Sequence, residues 1–366
     1  MWKRSKRTLR SFASRQLVPS AHASPASQLI WRDRLPAEIV NRHDEAGEIH
    51  PVSMYDVTRV EYGGLGVLKI DGKPFAPAEC FPHYLENMLV QNVHGCAYNW
   101  CGGLFSWRRR KIKLDRPLLA PFHPNFVYGH FLLEMMPRLL IADQSEPTGA
   151  PIALSTSSPR WVKAVVEALA PSREIVWFDS ATETLVPTSV LLPSGLQSRH
   201  EHIHPHVRSL ITGFKERIGV QNVRPAVKRL YLSRSRQSNP YSWHNIHDEE
   251  AVERIFNERG FEVVHPQELS FERQIALYDE ADIIAGEFSS ALHNALFARS
   301  GCRVLAINWI NWYQSRISSL MDQPIAYLPT ETGFIDWQSQ ASGFQTLTID
   351  HENLRLVLDE FLKRST

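Results

Sequence analysis

The chain is poor in cysteine, in long apolar runs and in net charge. Its 366 residues hold four cysteines, Cys80, Cys96, Cys101 and Cys302, with no Cys-x-x-Cys pair among them. Four thiols cannot staple a chain of this length, which excludes a disulfide scaffold and fits a reducing compartment. Cys96 and Cys101 could meet a metal with His94, but in a loop rich in Asn and Gly reduced bystanders are the simpler account. No stretch approaches the ~20 apolar residues of a membrane span, and no signal-peptide core is visible. Formal net charge is only +1, although Lys3, Arg4, Lys6, Arg7, Arg10 and Arg15 put six positive groups and no acid into the first fifteen residues. The remainder is therefore net negative, which argues against nucleic acid as the main partner. Residues 1–45, rich in Ser, Arg, Pro and Ala, read as an irregular basic leader outside the fold, able to touch anionic lipid headgroups.

Several site signatures are missing as well. No Gly-x-Gly-x-x-Gly follows a strand, which removes the main support for a dinucleotide fold. The stretch from Gly66 to Gly72-Lys73 misses the phosphate-loop spacing by one residue and runs into Pro74, so a β-turn accounts for it better. No Gly-x-Ser-x-Gly elbow speaks for a serine hydrolase, and no Asp-x-Asp occurs.

What is present is an apolar fraction of 43% on a chain long enough for two α/β domains. Between about 50 and 115, Gly63-Gly64, Asp71-Gly72 and Gly102-Gly103 separate short apolar runs, which is a hairpin pattern. From Gly129 onward helical and strand patterns alternate: strands at 152–154, 175–178 and 189–192, helices at 159–169 and 207–217, then strands at 229–233, 261–264, 282–285 and 303–307 with helices at 248–259, 270–280 and 290–299. Such alternation predicts mostly parallel sheets covered by helices. A polar break near 219–225 sets the expected boundary, giving domains 46–222 and 223–346 and a final helical segment 347–366.

The sharpest local feature is a buried-type strand, Ile283-Ile284-Ala285-Gly286-Glu287, that turns through Phe288-Ser289-Ser290 into a helix carrying His293 and Asn294. Free backbone N–H groups at such a turn form an anion site. Upstream lie Tyr231-Leu232-Ser233-Arg234-Ser235-Arg236, then Pro266-Gln267-Glu268-Leu269-Ser270-Phe271 and Gln274, and earlier still Tyr128-Gly129-His130 with Glu134 and Arg138. In order and spacing this series resembles glycosyltransferase family 61, whose bacterial members are often described as capsular polysaccharide biosynthesis proteins. The likeness spans about residues 120–310. One motif departs: Phe288, Ser289 and His293 stand where the family pattern usually has His, Gly and Thr.

The resemblance implies a GT-B-like fold, two Rossmann-like α/β domains facing a cleft, with the last helix returning to the first domain. It implies inverting transfer of a sugar from a nucleotide-diphosphate donor, with a uridine diphosphate sugar expected, to a hydroxyl of a glycan, one that can be lipid-linked, in capsular or exopolysaccharide synthesis. The expected location is the cytoplasm, at the inner face of the membrane. GT-A enzymes hold a divalent cation with Asp-x-Asp; without that pair a metal-free site is expected, with no cofactor and with protein cations on the diphosphate. Arg234 and Arg236 follow a strand, where guanidinium groups recognise phosphate bidentately. Ser289, Ser290, His293 and Asn294 would complete the donor site, with Glu268 on ribose hydroxyls and Glu287 on the sugar or opposing the arginines. Each has a plainer reading: surface arginines, capping or packing for His293 and Asn294, and an ordinary helix N-terminal acid for Glu268.

His130, Glu134 and Arg138 recur at intervals of four on one helical stripe. His130 suits the base that removes the acceptor's proton, with Glu134 orienting it or acting as the base itself; the same stripe could be a buried polar ladder with Arg138 in a structural role. Pro137 is expected to kink this helix. His200, His202, His204 and His206 alternate, but Pro205 interrupts them and no partner beyond Glu201 is evident, so a loop near the cleft is preferred to zinc. Glu250/Glu258 and Glu272/Glu280 share a spacing used by retaining enzymes, and both pairs fit the wet face of amphipathic helices instead. A nucleotide-sugar epimerase or hydrolase, or a silent nucleotide-sugar or glycan-binding protein, are the rival readings.

Overall fold

The computed structural model describes residues 9–23, 28–63, 68–75, 109–120, 128–180, 182–198, 202–220, 228–236, 244–334 and 345–364. Cys80, His94, Cys96, Cys101, His200 and Glu201 lie outside them, as do Gly102-Gly103 and the expected boundary at 222/223. The chain divides into two units, one made of 1–22 and 48–210, the other of 23–47 and 211–366.

Unit 1 is built on a six-stranded mixed sheet. Its strands are β1 (Ala13–Val18), β2 (Val52–Thr58), β3 (Leu118–Leu119), β4 (Ile152–Ser155), β5 (Ile175–Phe178) and β6 (Ser189–Pro193), in the order β1-β2-β6-β3-β4-β5. The β1, β2 and β6 neighbours run antiparallel, and β6, β3, β4 and β5 run parallel. A second sheet joins Lys73–Phe75, Leu68–Ile70, Val60–Tyr62, Glu183–Val186 and Arg110–Lys113, antiparallel up to its last pair. The expected hairpins are therefore here, and the expected parallel run is confined to β6, β3, β4 and β5, to which β2 and β1 are added antiparallel. Helix Arg160–Leu169 buries Val162, Val165, Val166 and Leu169, the one-face spacing of an amphipathic helix.

Unit 2 carries a fully parallel sheet. Strands β7 (Arg229–Leu232), β8 (Glu262–Val264), β9 (Ile283–Glu287), β10 (Arg303–Ile307) and β11 (Ile325–Leu328) lie in the order β8-β7-β9-β10-β11. All five residues of β9 are buried, as a strand covered on both faces must be. Strand order reverses between β7 and β9, and in open parallel sheets ligands sit beyond the strand C-termini at that switch point. Gly286 lets the two strands close there, because a Cβ would stand 3.1 Å from the Leu232 carbonyl oxygen and 3.2 Å from its Cβ. Helix α1 (Glu249–Asn257) follows β7, and α2 (Phe271–Asp279) follows β8, its N-terminus capped by the Ser270 hydroxyl accepting the Arg273 N–H.

Three expectations change. Residues 9–23 and 28–44 are not an irregular leader: Ala13–Val18 is an edge strand of unit 1, and Ala37–Asp44 is a helix. Ile30 and Trp31 belong to the core of unit 2, where Trp31 Nε1 donates to Glu360 at 2.7 Å. The final helix α3 (His351–Lys363) does not return to the first domain; Leu354, Leu358 and Phe361 pack with Val252, Ile255 and Phe256 of α1 in unit 2. The helix expected at 290–299 is a six-residue 3-10 segment, Leu292–Phe297. No helix among the described residues is long and apolar enough to cross a membrane.

Candidate functional site

At the switch point of unit 2 the chain leaves β7 through Ser233 and Arg234 and leaves β9 through Glu287. Arg234 Nη1 donates to Glu287 Oε2 at 2.6 Å, with the two side chains only 12% and 2% exposed. Burial pushes the Glu287 carboxyl up to about 7, against the opposing pull of Arg234, and its Oε1 has no hydrogen-bond partner among the described residues. Behind this pair the turn after β7 is held by α1. Glu249 Oε1 accepts the Arg234 amide at 2.7 Å and the Ser233 hydroxyl at 3.0 Å. Glu253 accepts from Ser235 Oγ at 2.6 Å and lies 2.5 Å from Ser233 Oγ. Burial raises the Glu249 carboxyl, although the Arg234 amide and the Ser233 hydroxyl pull the other way. Tyr231, wholly buried on β7, has its phenol pushed up by burial and by the Glu249, Glu287 and Glu253 carboxylates.

The other expected donor residues divide. Arg236 and Glu268 meet in an ion pair at 3.1 Å, 63% and 48% exposed. Glu268 closes the short turn Pro266–Glu268, which Gln274 ties down by donating to the Pro266 carbonyl at 2.9 Å. Ser289 and Ser290 are half-buried in the turn after β9. That turn leads into a 3-10 segment of six residues, so the anion site expected from an α-helix dipole is not supplied by it. His293 and Asn294 are buried and take the packing and capping roles: His293 Nδ1 lies 3.1 Å from Gln314 Oε1, and Asn294 Nδ2 donates to the Ala291 carbonyl at 3.0 Å. Phe288, the departure from the family pattern, is 3% exposed and meets the His293 ring edge to face at 6.0 Å.

In unit 1, His130 and Glu134 form a dyad. His130 Nδ1 donates to Glu134 Oε1 at 2.5 Å, with the side chains 25% and 10% exposed. A carboxylate on Nδ1 fixes the ring orientation and leaves Nε2 as the basic nitrogen of the neutral imidazole. The helix carrying them does not simply kink. It widens into a π segment, Phe131–Met135, where Met136 N–H reaches back to the Phe131 carbonyl. The cause is Pro137: it has no N–H for the Leu133 carbonyl, which accepts Gln197 Nε2 at 3.0 Å. Arg138 is 1% exposed, and its Nε donates to the Pro193 carbonyl at the end of β6 at 2.9 Å, which is a structural role.

The alternating histidines are also structural where described. His204 Nδ1 accepts the His206 N–H at 3.1 Å, so Nε2 carries the hydrogen and donates to the Pro19 carbonyl at 3.0 Å. Burial lowers its pKa. Among the described residues no group of three or more His, Cys, Asp or Glu side chains is arranged to hold a metal ion.

The candidate constellations among the described residues are thus two, a little-exposed guanidinium at the switch point of a parallel sheet in unit 2 and a His–Glu dyad in unit 1. Residues 128–305 match the family model described as Glycosyltransferase 61, a span containing every candidate residue above, which supports placing the chain in that family. Its reaction class is glycosyl transfer. Among curated proteins, none matches the chain.

Glu249 and Glu253 escaped sequence reasoning. As acids in the first turns of a helix they look like ordinary dipole partners; the one available signal was Ser233 at the end of a buried strand, a hydroxyl that needs an acceptor.

Proposed function

We propose that the chain moves a sugar from a nucleotide-diphosphate donor, a uridine diphosphate sugar first among candidates, to a glycan hydroxyl with inversion at the anomeric carbon. The observation that carries this reading is Arg234, held at the switch point of a parallel sheet within the family 61 match. A guanidinium there neutralises the diphosphate and stabilises the charge that builds on it as the glycosidic bond breaks. The reaction then needs no metal, because protein cations do that work. His130, oriented by Glu134, takes the acceptor's proton as the hydroxyl attacks. Synthesis of a capsular or exopolysaccharide on a lipid-linked acceptor, at the inner face of the membrane, is the setting this chemistry suits.

Nucleotides screened by thermal shift, followed by turnover of the matching nucleotide sugar with glycan acceptors, test the proposal. UDP is expected to stabilise the protein, and turnover is expected to survive EDTA. His130→Ala should then lower turnover by ~10²–10⁴-fold with donor affinity kept. Acceptor-independent release of nucleotide would make the protein a hydrolase, and an isomerised donor would make it an epimerase. One observation favours a silent binder, namely the buried Phe288 in the position where the family pattern has His. Stabilisation with no turnover on any acceptor would establish that reading instead.

A further inference from the structure

The turn that carries Arg234 has its own anchor. Ser233 is fully buried, and its neighbour Arg234 reaches across to Glu287 from a backbone that must be fixed for the guanidinium to arrive there. Glu249 supplies the fixing contact from α1. One carboxylate oxygen accepts the Arg234 amide at 2.7 Å and stands 3.0 Å from the Ser233 hydroxyl, whose single hydrogen it shares with Glu253, so its firm hold on the turn is the Arg234 backbone. The turn is further closed on itself by Ser235 N–H donating to Ser233 Oγ at 3.0 Å. Glu249 is 9% exposed, too buried for a helix N-terminal acid whose task is only to face solvent. The N-cap residue, Asp248, makes no side-chain cap hydrogen bond, and Glu249 itself points its oxygen away from the helix toward β7.

We propose that Glu249 is a positioning residue for the donor: by holding the Ser233-Arg234 turn it aims the Arg234 guanidinium at the diphosphate. This rests on the reading of Arg234 as the donor's cation. Glu249 touches no substrate in this arrangement and acts through Arg234 alone. What matters is the reach of its acceptor oxygen, since a charge at this point would oppose a diphosphate rather than attract it.

Two near-isosteric changes separate reach from charge. Glu249→Gln keeps a carbonyl oxygen at the same distance and removes the charge; Glu249→Asp keeps the charge and shortens the reach. UDP, GDP and ADP affinities measured by calorimetry, with the folded state checked by circular dichroism, should show Glu249→Gln within about threefold of the parent for the tightest of the three. Glu249→Asp should bind at least tenfold more weakly, as should Arg234→Ala, and the double variant should be no weaker than Arg234→Ala alone. Parent-like binding by Glu249→Asp, beside a weakened Arg234→Ala, would overturn the positioning role and leave Arg234 as the donor's cation. So would loss of binding in Glu249→Gln, which would make charge the operative property. Additive losses in the double variant would equally overturn it, because the two residues would then act independently. Parent-like binding by Arg234→Ala, or no binding of any of the three nucleotides by the parent, would end the donor reading and the positioning role with it.

Discussion

Among the described residues each unit sets a little-exposed arginine on a buried glutamate, and the two pairs are tuned in opposite directions. In unit 1, Arg173 is saturated: it donates to Asp143 Oδ1 at 2.6 Å, to Glu146 Oε2 at 2.7 Å, and to the carbonyls of Ala150, Asp143 and Glu146. Glu146 further accepts from the Thr148 amide and hydroxyl and from the Ala150 amide. Burial alone would raise its carboxyl, but the Thr148 and Arg173 contacts outweigh it and bring the value down to about 2. In unit 2, Glu287 is buried as deeply, has Arg234 against one oxygen and, among the described residues, no partner on the other, and is pushed up to about 7. The same two side chains make a staple where every lone pair is used, and a poised group where one is not. Saturation marks the structural pair, and the pair with an open oxygen is the one proposed above to meet the donor.

The largest effect that would test this contrast is expected at the staple. Glu146→Ala should cost about 3–5 kcal/mol of folding stability, read as a shift of the urea midpoint, because it removes at once the contacts to Arg173, to the Thr148 amide and hydroxyl and to the Ala150 amide, leaving Asp143 as the guanidinium's one carboxylate. Arg234→Ala should leave the fold in place, since Glu287 can take up a proton instead of remaining a buried anion. Its loss should appear in nucleoside diphosphate affinity, at ~1.5–3 kcal/mol for a charge-assisted contact. Equal losses of stability at both sites would erase the distinction.

The pH dependence sharpens it further. Glu287 keeps its proton in the folded state up to about 7, while the unfolded chain releases it near the ordinary value of 4.5. The folded state thus binds the extra proton in that window, and stability falls as pH rises through it, by on the order of 1–3 kcal/mol. Glu287→Gln should flatten that fall in denaturation curves taken between pH 5 and 8. Glu146 has the reverse sign: its contribution is present above 4.5 and is lost as pH falls toward 2. The smallest change is expected at Arg236, whose pair with Glu268 is well exposed; Arg236→Ala should move stability by less than ~0.5 kcal/mol. A tenfold loss of nucleotide affinity in that variant would return Arg236 to the donor site.

Much of unit 2 was legible because its strands are short apolar runs set between amphipathic helices, and both periods are local. The strands at 229–232, 262–264, 283–287 and 303–307 fall where the pattern puts them. The 3-10 turn after β9 was not legible: Ala291-Leu292-His293-Asn294 reads as helix by propensity, and only the tertiary fit of His293 on Gln314 and of Asn294 on Ala291 shows otherwise. The segment around Trp31 was misread for the opposite reason. Its polar, proline-bearing composition is that of a leader, and what orders it is a partner hundreds of residues away. The residue types at 130, 134, 234 and 287 singled out side chains that the structure pairs, His130 with Glu134 and Arg234 with Glu287, whereas the pairings themselves are products of the fold.

That distant partner has a consequence for how the protein is made. Trp31 leaves the ribosome early, yet its contact with Glu360 spans 329 positions, and Ile30 donates its amide to the Ile325 carbonyl. Ile30 must therefore wait for β11, and Trp31 for α3. Unit 2 cannot close its core in the order its residues emerge, and the loop it must close is nearly the whole chain. A nascent chain halted before α3 would hold an unfinished unit 2, with Trp31 still lacking Glu360.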